Sequence, residues 1–150
     1  MNLKISNSLV LGLACVLLTS CSTTHTTDRL EGVGAEAAFF FPMTELEADK
    51  VMADAMSYQF PDGNISRIDL PFKGYTVTRR FMLDSQTFAV RRIPSSGSGL
   101  NGELVSGFYF EVIDEGTMPV SGATRASSLF QKVIELSNQI SKPIVRRRLQ

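Results

Sequence analysis

Residues 103–113 read Glu103-Leu104-Val105-Ser106-Gly107-Phe108-Tyr109-Phe110-Glu111-Val112-Ile113. Leu104, Phe108, Phe110 and Val112 fall on one side of an extended chain, and Val105, Tyr109 and Ile113 fall on the other. β-branched and aromatic residues favour a pleated strand, and apolar character on both faces suits a strand flanked by neighbours rather than an edge. This segment is the expected centre of a sheet, and the remaining elements are placed around it.

Upstream, Tyr75 to Leu83 and Thr87 to Ile93 carry apolar residues at alternate positions, which predicts two more strands. If Asp84-Ser85 forms a two-residue turn, Phe81 lies opposite Phe88 and Arg79 opposite Val90. Asn64 to Leu70 also alternates, with Pro71 marking its end or an edge. Pro94 to Gly102 is rich in Ser and Gly and reads as a loop, as does Asp114 to Gly122. Phe39-Phe40-Phe41 is too apolar for water. It is expected as the end of a first strand beginning near Ala35, the alternative being an exposed docking patch.

Two helices complete the pattern. Thr44 and Glu47 have capping-box spacing ahead of an amphipathic run. Leu46, Ala48, Val51, Met52, Ala55 and Met56 form its apolar face, and Pro61-Asp62-Gly63-Asn64 turns the chain out of it. The second helix is expected from about Ala123 to Ser141, capped by Ser121. Its stripe is Ala126, Leu129, Phe130, Val133, Leu136, Ser137 and Ile140, and Lys142-Pro143 ends it. The order predicts an α+β fold: a two-layer sandwich in which two helices pack on one face of an antiparallel sheet of four to five strands. Ile144 to Gln150 is either a short edge strand or a basic extension ending in Arg146-Arg147-Arg148.

The amino terminus has a different character. Lys4 supplies a charge, Ile5 to Leu18 is mostly apolar and uncharged, and Thr19-Ser20 is small. A charged start, a short apolar core and small residues before a cut site mark a secretory signal peptide. The apolar run is shorter than the roughly 20 residues that cross a bilayer.

Leu18-Thr19-Ser20-Cys21 resembles the lipobox of bacterial lipoprotein precursors. In that family a diacylglyceryl group is attached to the cysteine sulfur, and signal peptidase II cuts just before it. The resemblance implies cleavage between Ser20 and Cys21, lipidation of Cys21, and a signal peptide spanning residues 1–20. It covers only the first two dozen residues. One acyl chain anchors marginally, whereas two or three hold a protein firmly. The residue after the cysteine, Ser22 rather than Asp, implies the periplasmic face of the outer membrane rather than the inner membrane. Residues 21–35 are then the lipidated cysteine and a flexible tether, containing Ser22 to Asp28 and the one His, His25. Residues 36–150 form a single periplasmic domain with a basic tail. Cys15 leaves with the signal peptide, so no disulfide is expected.

Composition narrows the chemistry. Fifteen basic residues balance fifteen acidic ones, which gives no global attraction to nucleic acid. One His and two Cys leave too few soft ligands for a His/Cys metal site, and no metal or cofactor is expected. Gly97-Ser98-Gly99 lacks the Gly-x-Ser-x-Gly form of a nucleophile elbow. Asp114 and Glu115 are adjacent carboxylates, read as solvated loop charges or as an acid/base pair. The chain is therefore expected to be no enzyme. The leading expectation is a lipid-anchored periplasmic lipoprotein, an adaptor or accessory subunit in envelope assembly or transport that meets another envelope protein.

Arg79, Arg80, Arg91 and Arg92 supply the alternative, since both pairs fall on one expected hairpin. The guanidinium fork suits carboxylate or phosphate, and like charges opposed in a sheet need neutralising. They either form a site for an anionic ligand or lipid head group, or pair with Glu103, Glu111 and Asp69 of neighbouring strands.

Overall fold

A computed structural model of the chain describes residues 23–27, 39–99 and 101–145. The expected signal peptide with Ser20, Cys21, most of the expected tether and Arg146-Arg147-Arg148 lie outside the described residues. The elements run β1 (Thr23–Thr27), β2 (Phe39–Phe40), α1 (Glu45–Gln59), β3 (Ser66–Ile68), β4 (Gly74–Phe81), β5 (Asp84–Ser98), β6 (Leu104–Gly116), α2 (Pro119–Ile140) and β7 (Ile144–Val145).

Five strands form one antiparallel sheet in the order β1-β6-β5-β4-β3, and β2 pairs with β7. This is the expected α+β sandwich. Residues directly opposite each other share a face, so the register Val77↔Phe88↔Asp114, Tyr75↔Val90↔Val112 and Arg92↔Phe110 defines the inner face. Val77, Phe88, Val90, Phe110 and Val112 join Ala48, Val51, Met52, Ala55 and Met56 of α1 and Ala126, Leu129, Phe130 and Val133 of α2 in one core. Both helices thus cover the same face. Phe60 lies against Phe88 at 4.9 Å between ring centroids, and Phe41 meets Phe110 at 6.4 Å.

The capping box forms as its spacing predicts. The Glu47 backbone N–H donates to Thr44 Oγ1 at 3.3 Å, and the Thr44 N–H donates to the Glu47 carboxylate at 2.8 Å. Leu46 departs from its expected place: it is exposed, on the far side of the helix from the buried residues.

Four strand boundaries differ from expectation. Thr23–Thr27, expected as tether, pairs with Val112–Gly116 and covers the outer edge of β6. An uncovered edge leaves backbone donors and acceptors unpaired, and β-branched Thr suits a strand. The β4–β5 turn is Met82-Leu83 rather than Asp84-Ser85, with Phe81 opposite Asp84 and Arg79 opposite Gln86. Met82 takes a left-handed φ of 54°, a conformation that Asn or Gly usually signals, so the turn carries no sequence mark. Phe88 faces Val77 instead of Phe81, an even displacement that keeps every side chain on its expected face.

The ladder also runs through the expected loop, pairing Pro94–Ser98 with Leu104–Phe108. The Arg92 N–H donates toward β4, to the Lys73 carbonyl, and alternation points the N of Pro94 the same way, beyond the end of β4, where no bond is lost. Finally, β6 continues to Gly116, so Asp114 and Glu115 are strand residues, and α2 begins at Pro119. Proline at the first helical turn gives up an N–H that would be orphaned anyway. Met118, not Ser121, is the N-cap.

The apolar Phe run is buried as expected, with Phe40 and Phe41 inside. Phe41 and Phe108 exchange both backbone hydrogen bonds, at 2.8 and 3.0 Å. Gly107 permits this approach: a Cβ there would collide with the Phe41 carbonyl.

Candidate functional site

The four candidate arginines do not gather. Arg79 and Arg80 sit beside the β4–β5 turn, opposite Gln86 and Ser85, while Arg91 and Arg92 lie five to seven residues further along β5, about 20 Å away. The true turn position causes the separation. With Phe81 facing Asp84, the partner of Arg91 is Gly74, and Arg92 reaches back to Lys73.

Arg91 and Arg92 are both neutralised. Arg91 meets Glu111 across the β5–β6 ladder, its Nε and Nη2 at 2.9 and 2.8 Å from one carboxylate oxygen, and stacks over Phe72. Arg92 is buried on the helix side. Its Nε donates to Asp49 at 2.8 Å and its Nη2 to Glu45 at 2.7 Å, with the guanidinium 4.7 Å from the Phe108 ring centroid. Arg92 and Lys73 hold the Glu45 carboxyl below the usual carboxylate range. Of the acids expected as partners, only Glu111 serves this role. Asp69 lies 3.6 Å from Arg67, and Glu103 accepts from the Asn101 backbone.

Arg79 and Arg80 have another companion, Arg125 of α2. The three line a cleft of about 180 Å³ between the turn end of the β4–β5 hairpin and the start of α2, with Phe81, Phe88 and Met118 as apolar wall. No carboxylate is among the lining residues. Among the described residues, Arg67, Arg91 and Arg92 have acidic partners, whereas Arg79, Arg80 and Arg125 have none. Alternation along β4 sets Arg79 on the inner face with Gln86 and Arg80 on the outer face with Ser85.

The floor of this cleft is a buried polar brace. Gln86 Nε2 donates to Asp114 Oδ2 at 3.1 Å, and its Oε1 accepts from the Met118 backbone N–H at 3.1 Å. Gly122 closes over both side chains, and a Cβ there would overlap Gln86 Nε2 and Asp114 Oδ2. Thr117 clasps the same joint: its hydroxyl donates to Asp84 Oδ1 at 2.9 Å, and its N–H donates to the Ser85 carbonyl at 3.2 Å. The start of α2 is thereby tied to the hairpin, which brings Arg125 beside Arg79.

Asp114 is fully buried, and its Oδ1 has no hydrogen-bond partner. Burial pushes its carboxyl up. His25, its cross-strand neighbour on β1, and the Gln86 amide pull the other way. Asp114 is not among the residues that line the cleft, and Glu115 is exposed on the opposite face. The adjacent carboxylates, read as solvated loop charges or as an acid/base pair, are therefore split by strand alternation, and Asp114 is not solvated.

The sequence marked Arg79 and Arg80 as a dipeptide but carried no sign of Arg125 or Gln86, which reach the site only through the packing of α2. Among the described residues, no three His, Cys, Asp or Glu side chains gather as a metal site. A larger, open hollow at the other end of the sheet is lined by Met43, Pro94 and Ser106, and its one acid, Glu45, is held by Arg92. Comparison with protein-family models, with curated proteins and with solved structures finds no match.

Proposed function

We propose that this chain is a lipid-anchored envelope protein, held by acyl chains on Cys21 at the periplasmic face of the outer membrane. It acts without catalysis, as an adaptor or accessory subunit. Its recognition site is the cleft of Arg79, Arg80 and Arg125, which accepts a phosphate or carboxylate group. The observation that carries this reading is the segregation of charge. Among the described residues, the arginines with structural work are each matched to acids, and the three without acids line one cleft. Planar guanidinium groups beside an apolar wall suit an anionic group carried on an apolar body. The lipobox at Leu18–Cys21 supports the anchor.

Metabolic labelling with a clickable fatty acid tests the anchor. The wild-type chain takes the label and fractionates with membranes, Cys21→Ala does neither, and an unlabelled wild type rejects the anchor. Binding of short-chain phosphatidylglycerol or inorganic phosphate tests the cleft. Arg79→Glu with Arg125→Glu should abolish retention, while Arg91→Gln should leave it unchanged. Equal retention by all three proteins rejects the site.

A further inference from the structure

The turn that joins β4 to β5 exposes three large apolar side chains in a row: Phe81 is 64% exposed, Met82 90% and Leu83 101%. Leu70-Pro71-Phe72, before β4 and away from this turn, is also exposed, with Phe72 under the Arg91 guanidinium, while Leu46, Tyr58 and Leu104 are scattered singly. Nothing in the hairpin requires a greasy tip. A two-residue turn is best served by Asn-Gly or a similar pair, yet Met82 occupies the left-handed position. Val120, on the first turn of α2 between the cleft-lining Met118 and Ser121, is also 82% exposed.

Cations surround this tip. Arg79 and Arg80 stand just below it on opposite faces of the hairpin, and Arg125 lies across the cleft. The first turn of α2 holds no acid. Asp84, the acid nearest the tip, is engaged by the Thr117 hydroxyl, and Glu115 lies further down the sheet.

The tip also lies at a particular end of the molecule. Thr23, Gly116, Gln86 and Arg79 form one row across β1, β6, β5 and β4. The tip lies just past this row, and Thr23, in the row, is two residues from Cys21 in sequence. Consecutive Cα atoms are about 3.8 Å apart, so two residues cannot carry the anchor to the far end of the sheet.

We infer that the Phe81-Met82-Leu83 turn is a membrane-inserting tip, which enters the bilayer that holds Cys21 while Arg79, Arg80 and Arg125 lie against anionic lipid head groups. The inference rests on the proposed anchor for its orientation, and it names the source of the anion in the cleft. Apolar tip, basic collar and acyl chains face one surface, so the domain stands on the membrane with its β5–β6 turn pointing away. Full burial of a side chain the size of Leu or Met favours insertion about ten- to a hundredfold. Each arginine near an anionic surface adds about fivefold.

The test uses the acylated protein purified from membranes, with Leu83→Cys carrying a polarity-sensitive fluorophore. Cys15 departs with the signal peptide and Cys21 is acylated, so the new thiol is the only free one. Leu104→Cys, at the opposite end of the sheet, is the control. In vesicles of phosphatidylethanolamine and phosphatidylglycerol, the label at 83 should shift to the blue and be quenched by nitroxide-bearing acyl chains. The label at 104 should do neither. Phe81→Asp, or Arg79→Glu with Arg125→Glu, should lower the ratio of inserted to solvent-facing tips, the arginine pair by more than about twenty-five-fold, since reversal removes two attractions and adds two repulsions. A water-like spectrum at 83 in protein that floats with the vesicles overturns the inference and leaves the anchor intact. Shielding that appears only when an envelope protein extract is added also overturns it, assigning the tip to a protein partner. If Cys21 proves unmodified, the anchor falls. The tip must then still hold the protein on phosphatidylglycerol vesicles in a manner lost in Phe81→Asp, and absence of such binding overturns the inference too.

Discussion

Arg92 of β5 and Asp49 of α1 meet at 2.8 Å, 43 residues apart in sequence, with the guanidinium lying over the ring of Phe108. This contact joins the first helix to the sheet at its polar end, where a side chain otherwise too costly to bury is matched by two acids. Arg92→Ala should cost at least about 1.5–3 kcal/mol, the range for charge-assisted hydrogen bonds, with the packing of the stem adding to it. Asp49→Ala should cost more than Glu45→Ala, because Asp49 is mostly enclosed and Glu45 is mostly in water. Urea melts of the three variants check the order.

The cleft arginines should behave in the opposite way. Arg79, Arg80 and Arg125 form no ion pair among the described residues, so Arg79→Gln and Arg125→Gln should change stability by no more than about 0.5 kcal/mol. The same melts check this. A large loss would mean that these side chains serve the fold and not a ligand.

Stability should depend on pH through Asp114. Its carboxyl is pushed up by burial, so the folded state holds the proton more tightly than the unfolded one. This contribution is fully present below the ordinary aspartate range, about pH 4, and is lost as pH rises through the raised folded value. Glu45 and Glu47 are shifted down, so their contributions are present above the ordinary glutamate range and are lost as pH falls. Asp114→Asn should therefore flatten the decline on the alkaline side of the stability maximum and leave the acid side in place. Denaturant midpoints across a pH series give the comparison.

Gly107→Ala should destabilise by about 1–3 kcal/mol, since its Cβ would strike the backbone of Phe41 and force the two chains apart. Loss of amide protection at Phe41 and Phe108 in hydrogen exchange would locate the damage at their shared bridge.

The register of the central hairpin can be read by crosslinking. Thr78 and Thr87 are directly opposed, with hydroxyls 2.9 Å apart, so Thr78→Cys with Thr87→Cys should form a disulfide on mild oxidation. Phe81→Cys with Phe88→Cys should not. The reverse result would restore the turn at Asp84-Ser85.

Much of this architecture was legible residue by residue. The Thr44–Glu47 cap, the two-sided β6 and the buried faces of both helices, except for the exposed Leu46 and Ile140, follow from spacing alone, and the structure bears them out. The candidate site was legible only in part. Arg79 and Arg80 stood out as a pair, but their expected companions Arg91 and Arg92 are bound to Glu111, Asp49 and Glu45, and their actual companion Arg125 comes from a distant helix.

The sequence by itself determined which side of each strand and helix turns inward, because periods of 2 and 3.6 are written directly in the order of apolar residues. Tertiary structure alone decided which residues stand opposite one another. A shift of a strand by an even number of residues leaves the apolar pattern unchanged, so patterning cannot choose among such registers. Here the choice fell to a turn at Met82-Leu83 with no turn signature and to an edge strand, Thr23–Thr27, whose only apparent merit in sequence is its threonines. That choice separates the four hairpin arginines, sets Arg79 and Arg80 beside Arg125, and carries an apolar tip to the end of the sheet that holds Thr23.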